Sequence, residues 1–268
     1  MDFDYNKYYK NKTKDFYKYE KKIAFWKAKH LLSLINDTTN DKSIIEIGTG
    51  NGEVLNNFTN FKVKIGTDIS SEAIKRNVYV KESKNIKIID KHINRNDINN
   101  SFISFKNVIK IPKEKLFLLI FDAQKKTVFD NKSVDYVLAC DILEHVKDPN
   151  QLLREISRIG NKFLFKIPIE NCLLTKLSLK INNIKYEINH PSGHIHCWNL
   201  KQIHQLLKNN NIKIKKEKFI PINNETIEGN SIFKKIIINT ILTLDKITMS
   251  HNMFSKWLLG GNVFILGE

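Results

Sequence analysis

Apolar positions in this chain recur with two different spacings, and the segments that carry them alternate. Short apolar runs bounded by glycine, proline or an acid predict strands near residues 43–47, 62–67, 116–121, 134–139 and 162–167. Such runs read as strands buried on both faces, as in a parallel sheet. Two later strands are expected near 212–220 and 262–266, the last one strongly apolar (Asn262-Val-Phe-Ile-Leu-Gly). Helical spacing predicts helices near 16–36, 71–79, 150–159, 199–210 and 231–248. Strands that alternate with helices define an α/β class. The 268 residues suit one domain with additions, so residues 1–268 are read as a single unit.

Composition changes this picture little. The formal net charge of +16 invites a polyanion partner. Yet lysine is spread along the chain together with asparagine and isoleucine, and arginine is scarce. A nucleic-acid groove would cluster arginine with exposed aromatics, so no nucleic-acid partner is expected. Cys140, Cys172 and Cys197 are isolated and form neither a disulfide framework nor a metal knuckle. With a polar, aromatic N-terminus and no secretory signal, a cytoplasmic location is expected. The helix near 231–248 is too short and too charged to span a bilayer. It is expected to lie on the sheet or on a partner subunit, with peripheral membrane contact as the lesser alternative.

The candidate chemistry starts in Ser43-Ile-Ile-Glu46-Ile-Gly48-Thr49-Gly50-Asn-Gly52, where an acid closes a strand and alternate glycines lead into a helix. Glycine there lets a ligand lie against the backbone and lets the helix pack closely. A dinucleotide site would carry G-x-G-x-x-G with no acid in front of it. Here Glu46 would repel a pyrophosphate and suit a cationic amino group. On the next strand Asp68 falls about 20 residues beyond the glycine turn, where a ribose-binding carboxylate belongs. Capping of the helix that begins near Ser71 is the competing role.

These residues resemble the first motif of the class I (Rossmann-like) S-adenosylmethionine (SAM)-dependent methyltransferases. The stretch Asp122-Ala123, and Cys140-Asp141-Ile-Leu-Glu144-His145-Val-Lys-Asp148-Pro149, resemble later motifs of a small-molecule or sugar O-methyltransferase-like subgroup with a D-x-L-E-H-x-x-D-P signature. The resemblance implies a three-layer sandwich around a seven-stranded, mostly parallel sheet whose last strand is antiparallel. It implies SAM as cofactor and S-adenosylhomocysteine as product. Glu46, Gly48, Thr49, Gly50, Gly52, Asp68 and Ile69 would then hold the cofactor, with Asp122 and Ala123 at the adenine and Cys140 and Asp141 beside it. In similar enzymes an N-terminal segment covers the site, so residues 1–40 are expected to form a helical lid with Tyr8 or Tyr9 near the cofactor. The alternative for this aromatic segment is a helix that packs on the domain.

Two stretches depart from the family. Residues 81–111 make the interval from Asp68 to Asp122 longer by about thirty residues than a simple βαβ unit needs. They read as a partly ordered insertion, which leaves Asp90 and Asp97 as rivals of Asp122. Residues 170–198 are expected to cover the acceptor side, and they contain His190-Pro-Ser-Gly-His194-Ile-His196-Cys197-Trp198. Histidine is suited to proton transfer near neutral pH. His194 or His196, together with His145, is therefore a candidate base or orienter. The second reading docks this stretch on its neighbours with its histidines bonded to backbone. A third makes His190, His194 and His196 metal ligands. It is set behind the others because no carboxylate cluster accompanies them, so no metal is expected.

The place after the fourth strand lacks the [DN]-P-P-[YF] motif that holds a planar amino group. The expected activity is therefore SAM-dependent methylation of an oxygen on a small molecule, sugar, glycan precursor or phosphorylated or phosphoramidate metabolite. Surface-polysaccharide biosynthesis is the associated setting. The alternatives are a SAM-fold protein that uses its ligand for another reaction or for regulation, and a nucleic-acid methyltransferase. Oligomeric state has no signal in the sequence.

Overall fold

A computed structural model describes residues 3–77, 108–111, 116–125, 127–186, 190, 192–222, 232–248 and 252–268. Two helices open the chain, α1 (Tyr5–Lys10) and α2 (Lys14–Leu32). There follow β1 (Ser43–Ile47), α3 (Glu53–Asn56), β2 (Val63–Asp68), α4 (Ser71–Lys75), β3 (Val108–Ile111), β4 (Leu116–Ile120) and β5 (Val134–Cys140). The second half holds α5 (Pro149–Ile159), β6 (Gly160–Ile169), α6 (Leu173–Ile181), α7 (Leu200–Asn209), β7 (Ile214–Pro221), α8 (Ile232–Ile247) and β8 (Gly261–Gly267).

The sheet runs β3-β4-β2-β1-β5-β6-β8-β7. Neighbours from β4 to β6 pair in parallel, and β8 enters antiparallel between β6 and β7. All seven expected strands are present, with the last one antiparallel. An eighth, β3, pairs antiparallel with β4 at the edge; it lies at the end of the stretch read as an insertion. Residues 81–107, with Asp90 and Asp97, lie outside the described residues.

Successive side chains of a strand point to opposite faces, and the inner strands are apolar on both. Ile45, Val137 and Ala139 belong to one core with Leu152, Ile156, Ile203 and Leu207 of α5 and α7. Ile44, Tyr136 and Leu138 belong to the other, with Ala28 and Leu31 of α2, Leu55 of α3 and Ile74 of α4. The layers therefore follow from pattern: each full burial of such a side chain contributes about 1.5–3 kcal/mol. The sequence signals at helix starts are used as written. Asp148 caps α5 by accepting from Gln151 N at 3.0 Å with Pro149 in the first turn, and Asn199 with Gln202 forms a capping box on α7.

Near the C-terminus α8 buries Ile238 and Ile241 against Leu259, while Ile236, Ile237, Leu244 and Ile247 face outward. Among the described residues no helix is long and apolar enough to cross a membrane. The carboxyl ends of β1, β2, β4 and β5 open on one edge of the sheet, the place where ligands bind in open α/β folds.

Candidate active site

Leaving β1, the chain turns through Gly48 and Gly50 with φ of +73° and +57°, a region costly for residues with a Cβ. Space is equally limiting, since a Cβ on Gly48 would stand 2.5 Å from Ile142 Cδ1, and one on Gly50 2.7 Å from the Tyr9 hydroxyl. Gly48 N and Thr49 N both donate to Thr67 O at 2.8 Å, which ties the turn to β2. Gly52 starts α3 and packs against Asn77, away from the cavity wall.

The carboxylates around this turn are held by local donors. Asp68 accepts from Gly50 N at 2.7 Å and from Ser70 N at 2.8 Å; burial raises its pKa against those bonds. It does not cap α4, because Ser70 does so by accepting from Ala73 N. Each Asp68 oxygen keeps lone-pair capacity for a ligand hydroxyl. Glu46 is 1% exposed and accepts from Thr49 Oγ1 at 2.6 Å. Burial pushes it up to about 8, which favours its protonated form at neutral pH. Asp122 accepts from Gln124 N at 3.0 Å.

Asp141 adopts φ +54°, and its carboxylate lies between Lys166 and Lys27, the latter at 2.7 Å. Although burial opposes it, these two cations hold Asp141 well below the usual carboxylate range. Both lysines are distant in sequence, and sequence reasoning missed them. The neighbouring Cys140 thiol is buried and pushed well up, which makes it an inert wall.

A cavity with two connected lobes runs along this edge. The smaller, about 130 Å³, is lined by Asp68, Ile69, Asp122 and Ala123 among others. The larger, about 770 Å³, is lined by Glu46, Thr49, Gly50 and Cys140 and reaches Lys166 and His194. Tyr5, Tyr9, Gly48, Asp141 and His145 border both. Of the residues expected at the cofactor, all but Gly52 reach this cavity.

Helix α1 straps over the opening. Asn6 Oδ1 accepts from Ser70 Oγ at 2.9 Å and Glu72 N at 3.3 Å, Tyr17 donates to Tyr9 O at 2.9 Å, and Tyr5 meets His145 edge-on at 5.9 Å. The N-terminal segment thus holds a separate six-residue helix ahead of the predicted one. Its period was hidden because its aromatic face meets polar rims instead of the core.

Beyond His145 the wall is assembled from three segments. Residues Leu143–His145 form a single 3₁₀ turn. Its Glu144 carbonyl accepts from Ile195 N at 2.8 Å and His196 N at 3.2 Å, so the histidine-rich stretch is laced to it. His145 Nδ1 lies 3.2 Å from Gly193 O, and its pKa falls to about 4, mainly through burial and then the charge of His194. His194 Nδ1 lies 2.8 Å from Glu170 Oε2. Burial lowers the His194 pKa, but the bond to Glu170 and its charge outweigh that and raise it. Tyr186 bonds the same carboxylate, and His190 stacks on His194 at 4.4 Å.

Glu144 is 1% exposed, and neither of its side-chain oxygens has a hydrogen-bond partner among the described residues. Burial, then the charge of Asp141, pushes it up to about 8. His196 is used differently from His194: its Nε2 meets Val146 O at 2.9 Å and its ring stacks on Trp198 at 5.1 Å. The backbone-docking role considered for this stretch therefore fits His196 but not His194. The premise that no carboxylate accompanies the histidines fails, because Glu144 and Glu170 reach them from other segments. Only tertiary structure brings those acids in.

The lining combines the carboxyl groups of Glu46, Asp68, Asp122 and Asp141 with Lys27 and Lys166, which offset the charge of Asp141.

Comparison with known proteins agrees with this chemistry. A family model described as "Methyltransferase domain" matches residues 16–217. No curated protein matches the chain by sequence. A putative methyltransferase from Bacillus halodurans superposes with a TM-score of 0.56 at 10% identity, over 90% of this chain and 97% of that one. A Thermotoga maritima SAM-dependent methyltransferase, a possible histamine N-methyltransferase, gives 0.55 at 14% identity, over 94% and 92%. The geranyl diphosphate C-methyltransferase of Streptomyces coelicolor, solved with Mg²⁺, geranyl diphosphate and S-adenosylhomocysteine, gives 0.53 at 14%, over 90% and 77%. At these identities the superpositions speak for the fold.

Proposed function

The chain belongs to the family of methyltransferase domains, and on that footing we propose that it methylates an oxygen of a small hydroxylated acceptor such as a sugar or glycan precursor. Its methyl donor is S-adenosylmethionine. In this reading the ribose hydroxyls donate to Asp68, the methionine ammonium faces Glu46, and the adenine lies by Asp122 and Ala123. The free lone pairs of Asp68 and the buried carboxyl group of Glu46 support this orientation.

The observation that carries the oxygen assignment is the pair His194–Glu170 at 2.8 Å on the wall beyond the donor lobe. A hydroxyl must lose its proton as it attacks the sulfonium methyl, whereas a neutral amine attacks with a free lone pair. An imidazole anchored through Nδ1 to a carboxylate directs Nε2 outward and stabilises the imidazolium that forms. As the O–CH₃ bond forms and the S–CH₃ bond breaks, the electron pair stays on sulfur and the hydroxyl proton passes to His194. The remainder of the barrier is lowered by alignment. His145, pushed down to about 4, stays neutral and is a wall or ligand in place of an acid.

The test is release of S-adenosylhomocysteine across a panel of sugars, nucleotide sugars, phenols and amines. Turnover on hydroxylated acceptors that His194→Ala abolishes, with SAM affinity kept, is the expected result. Selective turnover of amines, unaffected by His194→Ala, would overturn the oxygen assignment.

A further inference from the structure

We propose that Glu144, His145 and His194 bind a divalent first-row metal ion at the acceptor end of the cavity. The inference rests on the reading of this wall as the acceptor side and adds a cation to it. One ligand atom from each of the three residues lies within 4.8 Å of the others. A metal ion drawing them to about 2 Å needs only side-chain adjustment.

One observation points to a ligand there, and two show how the site is held. First, both Glu144 oxygens are buried without a hydrogen-bond partner among the described residues. Buried carboxyl groups are otherwise hydrogen-bonded because the loss of water costs several kcal/mol, of order 2–7 for a neutral polar group and more for a charge. The nearby Asp68, Asp141 and Glu170 all have their partners.

Second, each histidine faces an acceptor through Nδ1, Gly193 O for His145 and Glu170 Oε2 for His194. A proton on Nδ1 in each bond leaves the lone pair on Nε2. This is the arrangement by which carbonyls and carboxylates fix metal-binding imidazoles. Third, Ile195 N and His196 N donate to the Glu144 carbonyl. The two ligand-bearing segments are thereby locked in register whether or not a cation is bound.

A second set, Glu170, His190 and His194, shares His194. There the Glu170 oxygen and His194 Nδ1 are already bonded to each other, so Glu170 acts as a support. Two imidazoles and one carboxylate suit Mn²⁺, Co²⁺ or Zn²⁺ better than Ca²⁺ or Mg²⁺. Three protein ligands leave coordination positions open, and His145 and His194 border the cavity, so the open side faces the acceptor. The cation would hold the acceptor oxygen and lower its pKa, with the proton lost to water. The two roles of His194 Nε2 are alternatives: without the cation it takes the hydroxyl proton, and with the cation bound it is a ligand and the proton leaves to water.

The test is titration of chelator-treated protein with Co²⁺ alone, followed by visible absorption and calorimetry. One equivalent per chain is expected, with d–d bands typical of nitrogen ligation. Glu144→Gln and His194→Ala should each weaken binding by about 10–100-fold or more. Glu170→Gln, a change at a positioning residue, should weaken it less. Unchanged SAM affinity in each variant certifies folding. Absence of Co²⁺ and Mn²⁺ binding to the wild type, or binding indifferent to Glu144→Gln, would overturn the site. SAM titration of the same treated protein separates the two readings: if it binds SAM but no metal, the metal site falls while the donor pocket stands.

Discussion

The two ends of the cavity solve the problem of buried charge in opposite ways. At the donor end Glu46 and Asp68 have donors within the same strand-turn unit or its neighbour, Thr49 for Glu46 and Gly50 and Ser70 for Asp68, and Asp141 is held by Lys27 and Lys166. At the acceptor end the Glu144 carboxyl group has no hydrogen-bond partner among the described residues, and the surrounding rings of His145, His190, His194 and Tyr186 pack on one another. A preorganised end binds its ligand without rearrangement. An end with an orphaned carboxylate is completed only by what enters it.

Substitutions that affect one end and spare the other can break this contrast. The largest effect is expected for His194→Ala, which should lower turnover by about 10²–10⁴-fold while SAM affinity holds; a parallel loss of SAM binding would erase the division. Asp68→Ala should cost about 2–3 kcal/mol, or about 30–150-fold in SAM affinity, with metal binding at the other end unchanged. Calorimetry reads both.

A smaller effect concerns pH. Burial raises Glu46 to about 8, so below that pH a cationic ligand must displace its proton. SAM affinity should therefore rise from pH 6 to 8, by at most about tenfold per unit. Glu46→Gln should bind more weakly with a flat profile, and an equally steep profile in that variant would assign the proton elsewhere. The smallest effect is expected for His196→Ala, which loses its bond to Val146 O and its stacking on Trp198. About 1–2 kcal/mol of stability should go, read by denaturant unfolding, with SAM affinity intact.

The same contrast explains what was legible beforehand. Glu46, Gly48 and Gly50 sit within one turn, and Asp68 closes the following strand, so the spacing in sequence is the spacing in space. The pattern of seven strands was readable because each inner strand is apolar on both faces. The acceptor end is built from contacts such as His145 to Gly193, 48 residues apart, and no local period encodes them. Glu170 stood at the start of the stretch expected to cover the acceptor side with no role of its own, and Lys27 was one of many lysines on a predicted helix. Strand β3 has four residues and pairs only with β4, too short a run to stand out from its Asn- and Lys-rich surroundings. The D-P of the D-x-L-E-H-x-x-D-P run proved to be the start of α5, whereas its E-H pair stands at the site.

The claim that underlies all of this is that the turn from Glu46 to Gly50, with Asp68, forms a site for SAM that is complete before any acceptor arrives. Calorimetric titration of wild type and Asp68→Ala with SAM and with S-adenosylhomocysteine, without acceptor or metal, tests it most directly. The predicted result is one site per chain for both ligands in the wild type, weakened at least about 30-fold by the substitution. Failure of the wild type to bind either ligand, or equal binding by Asp68→Ala, would contradict it.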